Sequence, residues 1–186
     1  MRNLFRYLKP VAAVIAIHMM AVGAAMAQDA DLDRLYAELA DPENENWQRT
    51  QADILREWSR SGSPSMDLLL QRGQDAIESG DFQGAIEHLT ALVDQAPDFA
   101  EGWNARATAY FHAGYLGPSI VDIQHTLALN PHHFGALAGL GMIMQASGKP
   151  EAALRAFTAS LAIHPHQDAL RHAVDELERE SLGTRL

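Results

Sequence analysis

Cysteine is absent from the 186-residue chain, and this absence excludes several classes of protein at once. Disulfide-stapled domains, thiolate zinc sites and iron–sulfur proteins all need cysteine. Positive charge is also scarce: 14 Lys and Arg stand against 24 Asp and Glu, a formal net charge of -10. That sign of charge opposes attraction to phosphate backbones or anionic lipid, so we expect no nucleic-acid partner.

Motifs that carry known chemistries are missing as well. The sequence has no G-x-S-x-G nucleophile elbow, no phosphate-binding P-loop and no H-E-x-x-H zinc motif. Asp122 and His125 share one predicted helix, whose register places both at the surface rather than in an apolar pocket. We therefore expect a protein that is not an enzyme and that holds no cofactor and no metal.

Residues 1–27 have the three parts of a secretory signal peptide. Arg2, Arg6 and Lys9 form a cationic start, and an apolar stretch closes on Ala25-Met26-Ala27, a pattern typical of signal peptidase sites. A spanning helix needs about 20 apolar residues, so a cleaved signal is favoured over an uncleaved anchor. We expect export across the inner membrane to the periplasm, with no membrane span after signal cleavage.

A repeat of 34 residues runs through the rest of the chain. Four kinds of position recur at this interval: a proline, a glycine, a small residue and a bulky residue. They are Pro97, Pro131 and Pro165; Gly80, Gly114 and Gly148; Gly73, Ala107 and Gly141; and Leu69, Trp103 and Leu137. Glycine accepts left-handed backbone where a helix ends and proline cannot continue a helix, so the columns predict repeated helix pairs.

In these four columns the chain resembles the tetratricopeptide repeat (TPR) family. The resemblance implies an all-α, right-handed superhelical solenoid of three helix-turn-helix repeats, at 66–99, 100–133 and 134–167. At the boundary of repeats one and two, Asp98 and Glu101 are spaced as a capping box for the first helix of repeat two. Stacking is required because one repeat alone cannot bury its apolar faces.

Helices are also predicted on both sides of the repeats, which need polar outer ends. Residues 28–62 are predicted to form an N-terminal helical hairpin, and residues 168–186 a C-terminal capping helix. We expect the hairpin to be a cap on the solenoid. The alternative is a docking element with Trp47 or Trp58 as an exposed anchor.

The resemblance assigns ligand binding to the concave face, which the first helix of each repeat lines. The ligand expected there is a protein or peptide segment of unknown identity. The groove positions carried over from the family are Asp67, Leu70, Gln74, Ile77, Glu78, Glu101, Asn104, Thr108, Phe111, His112, Met142 and Gln145, with Gly135, Ala138 and Ala146 at the apolar end. This series runs from acidic through aromatic and polar to apolar, which suits a peptide with a basic and an apolar end.

The family's best-known groove holds a C-terminal carboxylate through Lys, Arg and Asn side chains. The corresponding positions here carry no cation, so a carboxylate clamp is not expected. They are Leu70, Gln74, Ala105, Gly135 and Gly139.

Nine histidines are the one compositional oddity. His132, His133, His164 and His166 flank the repeat prolines, and His112 is a candidate for a pH-responsive groove. Neighbouring repeats lie roughly 10 Å apart, which is loose for ligands that must each approach one zinc ion to about 2.1 Å. Ordinary exposed loop histidines are therefore expected, with a metal site as the alternative.

Together these features predict a non-catalytic protein–protein interaction scaffold in the cell envelope. The alternative is a structural subunit of an envelope complex or homo-oligomer that associates through the edges of the solenoid. The two differ in size in solution, because the structural subunit would assemble without a peptide ligand.

Overall fold

The computed structural model describes the backbone of residues 31–183 and the side chains of residues 31–180. The predicted signal peptide lies outside the described residues. The described residues form helices and no strand. The helices are α1 (31–40), α2 (Trp47–Trp58), α3 (Pro64–Glu78), α4 (Phe82–Gln95), α5 (Ala100–His112), α6 (Leu116–Leu129), α7 (Phe134–Ala146), α8 (Pro150–Ile163) and α9 (Asp168–Gly183).

Six of these helices form three helix-turn-helix pairs that stack in chain order. Helix α3 packs on α4, α5 on α6 and α7 on α8, while α4–α5 and α6–α7 contacts join the pairs and α9 packs on α8. The first helix of each pair is followed by a glycine with left-handed backbone, φ +80° at Gly80 and Gly114 and +68° at Gly148. The predicted role of the turn glycine is confirmed, because other residues adopt this conformation only with strain.

The small-residue column allows the two helices of a pair to touch. A Cβ added to Gly141 would lie 2.3 Å from Phe157 Cδ1, closer than two carbon atoms can approach. In the middle pair the equivalent residue is Ala107, and Ile123 takes the place of Phe157 in the same buried cluster as Ala107. Glycine therefore makes room for Phe157, as Gly73 does for Leu89 in the first pair, and we call this fit the matched-size explanation.

We expect Gly141→Ala to lower the free energy of unfolding by about 1–2 kcal/mol. Overpacking against Phe157 costs about 1–3 kcal/mol, and the better helix propensity of alanine returns up to about 1 kcal/mol. Combining it with Phe157→Ile, the combination found in the middle pair, should recover part of this loss in urea unfolding. Gly117→Ala, where an added Cβ meets nothing within 4 Å, is the control and should be neutral or stabilising.

If Gly141→Ala and Phe157→Ile were simply additive, the matched-size explanation would be wrong. A double-mutant cycle measures this directly, because contacting residues couple and distant ones do not.

The N-terminal hairpin, α1 and α2, lies against the turns that precede α7 and α9. Its apolar residues Leu35, Leu39, Ile54 and Trp58 share one buried cluster with Phe134 at the start of α7. The sequence predicts a cap, and the contacts found for the hairpin are with repeats two and three. Trp58 is not an exposed anchor, since only 8% of its surface is accessible.

The capping-box prediction for repeat two is wrong. Helix α5 is preceded by Phe99 at the N-cap, which makes no side-chain capping bond, and Asp98 lies outside the helix. Glu101 does not reach back to the N-cap; its carboxylate takes a hydrogen bond from His133 Nε2 at 2.9 Å. A long-range partner has replaced the local one.

The surface prediction for Asp122 is also wrong. Its side chain is 3% exposed and accepts two hydrogen bonds from Arg106, at 2.7 Å from Nε and 2.9 Å from Nη2. Arg106 also donates to Thr90 Oγ1 at 3.3 Å, so one guanidinium joins α4, α5 and α6. The hydrogen bonds that Arg106 donates to Asp122 raise the pKa of Arg106 and keep it charged.

Candidate functional site

The first helices of the three pairs, α3, α5 and α7, lie side by side on one face of the stack. Small buried residues on α5 and α7 keep the side-chain layer beneath this face thin. They are Gly102, Ala105, Ala107 and Ala109 on α5, and Ala136, Ala138 and Gly141 on α7. A shallow groove results, lined by the residues that point away from the second helices.

An apolar cavity of about 190 Å³ opens between α5 and α7. Cavities of roughly 150 Å³ hold a benzene ring, so this one has room for a single aromatic or aliphatic side chain. Its lining residues are Asn104, Ala107, Thr108, Phe111, His112, Ser119, Ile123, Gly135, Ala136, Gly139, Met142 and Ile143. Met142, 46% exposed, stands at the rim.

A second and more polar part of the groove, about 370 Å³, lies between α3 and α5. It is lined by Gln74, Ile77, Glu78, Glu101, Asn104, Ala105 and Thr108. Asn104 and Thr108 belong to both parts, so the two are continuous. The carboxylates of Glu78 and Glu101 make the α3–α5 part negative, and neither Lys nor Arg is among the lining residues of either part.

His133 holds Glu101 in place at this negative end. His133 Nδ1 accepts a hydrogen bond from the backbone N–H of Ala136 at 3.0 Å, which caps α7. The proton must then be on Nε2, which donates to Glu101 Oε2 at 2.9 Å. Asn104 Nδ2 donates to the same carboxylate at 3.4 Å. These hydrogen bonds from His133 and Asn104 orient the carboxylate of Glu101 for binding.

Ten of the fifteen groove positions predicted from the sequence come together around these two parts. They are Gln74, Ile77, Glu78, Glu101, Asn104, Thr108, Phe111, His112, Gly135 and Met142.

The other five predicted positions lie elsewhere, and two of them, Ala138 and Ala146, line neither part. Leu70 is 2% exposed and belongs to the core under α4, so it cannot meet a ligand. Asp67 accepts hydrogen bonds from the backbone and hydroxyl of Ser61, at 2.8 and 2.6 Å, and fixes the turn into α3. Gln145 is exposed near the end of α7 and lines neither part.

Two residues of α6, Ser119 and Ile123, also reach the apolar cavity, although the sequence predicts a groove lined by the first helices. The hydroxyl of Ser119 donates to the carbonyl of Ala107 at 2.7 Å, and this side chain is fully buried.

The expectation of exposed loop histidines is wrong for His133 and His164, which are each 2% exposed. The hairpin covers both, with Trp58 stacked on His133 at 4.2 Å and Trp47 at 5.5 Å from His164. Nothing in the local sequence predicts this burial, because the covering residues lie far away along the chain. Within the described part of the chain, no group of three or more His, Asp or Glu is placed to hold a metal ion.

Comparison with known proteins settles the family. A tetratricopeptide repeat family model matches residues 70–116. A TPR repeat-containing protein of Rhizobium etli is 35% identical over 155 residues, covering 83% of this chain and 76% of the relative. The chain belongs to the tetratricopeptide repeat family. The resemblance inferred from the 34-residue columns is thereby confirmed.

Solved structures agree with the predicted solenoid fold of this TPR protein. The first TPR domain of Spaghetti (RPAP3), bound to an HSP90 peptide, has a TM-score of 0.61 at 22% identity, over 64% of this chain and 95% of that one. MamA gives a TM-score of 0.60 at 22% identity, over 76% of this chain and 85% of that one. Along residues 31–183, no helix combines the length and the apolar character needed to cross a membrane.

Proposed function

We propose that this TPR protein is a non-catalytic scaffold that binds a peptide segment in the groove between α3, α5 and α7. The observation that supports the proposal is the continuity of the groove, with an apolar cavity at one end and two carboxylates at the other. The structurally similar domain of Spaghetti binds a peptide of HSP90, which supports peptide binding as the activity.

The chemistry of the groove favours a ligand with one apolar side chain and a nearby Lys or Arg. The apolar side chain would fill the cavity beside Phe111 and Met142, where burying it gains about 1.5–3 kcal/mol. A cation would lie near Glu78 and Glu101, whose charges no lining Lys or Arg offsets. The HSP90 peptide, SRMEEVD, pairs Arg with Met as this groove favours, but its three acidic residues would meet repulsion from Glu78 and Glu101.

The place of action we propose is the periplasm. This proposal rests on the sequence of residues 1–27, which has the cationic, apolar and small-residue parts of a secretory signal. The groove's ligand would then be an exported or envelope protein.

Selection from a displayed library of random peptides tests the proposal. With the chain from Gln28 onward as bait, we expect enrichment of sequences that pair an apolar residue with Lys or Arg. The variant with Asn104, Phe111 and Met142 changed to Ala should lose at least about 10-fold in affinity for them, since buried interface anchors carry most of the binding energy. The matched control changes Glu87, Gln124 and Leu129 to Ala, exposed positions on the second helices.

If no peptide is enriched, the peptide-binding function is wrong. If the enriched peptides bind the triple groove variant as well as they bind the original chain, binding is at another surface. Enrichment of acidic peptides would leave peptide binding intact and overturn only the proposed charge preference.

A structural subunit is the second candidate, and the outer side of α6 favours it. Val121 and Leu129 are 51% and 43% exposed there, and Tyr115 just before the helix is 53% exposed. Their apolar surface would be buried if another chain covered this side of α6. A stable homo-oligomer in light scattering, dissociated by Val121→Glu, would support this candidate over peptide capture.

A further inference from the structure

The docked hairpin meets the repeats through a row of histidines rather than through apolar residues alone. His132 lies 4.8 Å from the ring of Tyr36, and His166 is stacked on Trp47 at 5.2 Å. With His133 against Trp58 and His164 against Trp47, all four histidines of the two turns contact α1 or α2. We call these four side chains, His132, His133, His164 and His166, the histidine edge.

His164 is the member of the histidine edge whose docked position least accommodates a second proton. Its Nε2 donates to Gln51 Oε1 on α2 at 3.1 Å, and its Nδ1 is buried without a hydrogen-bond partner. Buried polar atoms without partners are rare in folded proteins. A proton added at Nδ1 would place a charge in a closed site that offers no acceptor for it.

The groups facing His164 offer no opposite charge. Gln51 and Trp47 face it from α2, and Phe134 packs edge-on from α7 at 5.0 Å. The titratable neighbour is His166, 5.9 Å away between ring centres, which would repel a second positive charge. The Asp41 residue reaches this end of the edge through its backbone carbonyl, which accepts from His166 Nε2 at 3.0 Å.

The remaining members of the histidine edge contribute contacts to the docked hairpin. His133, which stacks on Trp58, caps α7 through Nδ1 and donates to the carboxylate of Glu101 through Nε2. Tyr36, which faces His132, accepts from Trp58 Nε1 at 2.9 Å.

The joint between hairpin and repeats can act as a hinge once the hydrogen bonds from Ser61 to Asp67, which close over Gly62, are broken. It runs over residues 59–63 and contains Gly62 at φ +80°, with open space around it. The hairpin can therefore leave the histidine edge without breaking a helix of the repeats.

We propose that the N-terminal hairpin is an acid-released latch, docked on the histidine edge while His164 is neutral and freed when His164 takes up a proton. Burial, and secondarily the charge of His166, lowers the pKa of docked His164 from 6.5 to about 4. The released form therefore binds more protons than the docked form between those pH values, so docking weakens as pH falls through this window. Above it the latch is fully closed.

Fluorescence energy transfer tests the latch in the full chain. Because the sequence has no cysteine, Ala52→Cys on α2 and Ala159→Cys on α8, both exposed, give a specific dye pair. From about pH 7.5 to about pH 4.5, transfer should fall while circular dichroism shows that the repeats stay helical.

Gln51→Glu is the decisive variant. It places a carboxylate beside His164 Nε2, so the protonated ring gains a partner and the latch should stay closed to a pH lower by about one unit. Gln48→Glu adds the same charge at an exposed position of the same helix and should release like the original chain.

Two results would overturn the latch: constant transfer across the whole range, or release of Gln51→Glu at the same pH as Gln48→Glu. If the hairpin of Gln51→Glu does not dock at neutral pH, the energy transfer of this variant will already be low at about pH 7.5. In that case His164→Gln replaces it, and release at the original pH would overturn the proposal.

Discussion

Asp122→Ala is expected to lower the free energy of unfolding by about 3–5 kcal/mol, the range found when one partner of a buried ion pair is removed. The carboxylate is 3% exposed and takes two hydrogen bonds from Arg106, which is 12% exposed. Without it the guanidinium stays charged in a site that water cannot reach well. The contact from Arg106 to the ring of Trp103, 5.0 Å, would not replace a carboxylate.

Urea unfolding followed by circular dichroism measures this loss. The control is the double variant Asp122→Leu with Arg106→Met, which removes both charges and should regain most of the stability. A loss below about 1 kcal/mol in the single variant would mean that water compensates Arg106, and that the pair behaves like an exposed one.

Trp58→Ala is expected to remove about 3–5 kcal/mol from the docking of the hairpin, as for other large buried aromatic residues. Three partners are lost together: the hydroxyl of Tyr36, which accepts from the indole at 2.9 Å, His133 at 4.2 Å, and Phe134 at 4.9 Å. Hydrogen exchange should show loss of protection in α1 and α2 at neutral pH, with α5 unaffected.

Trp103→Ala provides the matched control. Trp103 is only partly buried, stacks on His125 at 4.3 Å and donates to the carbonyl of Pro97 at 2.9 Å. It lies away from the hairpin contacts, so the hairpin should keep its protection. Equal loss of hairpin protection in both variants would mean that general destabilisation, and not docking, sets the exchange rate.

The repeats could be predicted from the sequence because their determinants are local and periodic. A left-handed glycine such as Gly114, or a close approach such as that of Gly141 to Phe157, is imposed at a fixed interval and shows as a column. The concave face follows from the same register, which is why most groove residues predicted from it come together. Leu70 was wrongly assigned to the groove because the 34-residue register shows which helix a residue belongs to but not how deeply its side chain is buried. The side chain of Leu70 lies under α4.

Contacts that join distant segments could not be predicted in this way. The pairing of Arg106 with Asp122 and of His133 with Glu101 crosses helices at separations unrelated to the 34-residue interval. The position of the hairpin could not be predicted either. The sequence indicates that Trp58 must pack against some apolar surface, but not which one. Which surface covers Trp58 depends on the three-dimensional course of the chain.

The contacts between the N-terminal hairpin and the C-terminal repeat change how this solenoid should fold. In a simple repeat stack each unit touches only its neighbours, and unfolding can begin at either end and spread unit by unit. Here Gln51 bonds to His164 across 113 residues and the Asp41 carbonyl to His166 across 125. Unfolding of the C-terminal repeat therefore also breaks the contacts that this repeat makes with the hairpin. This coupling favours a single cooperative unfolding transition. The long sequence separation of these contacts raises the contact order of the protein, and we expect it to fold more slowly for that reason.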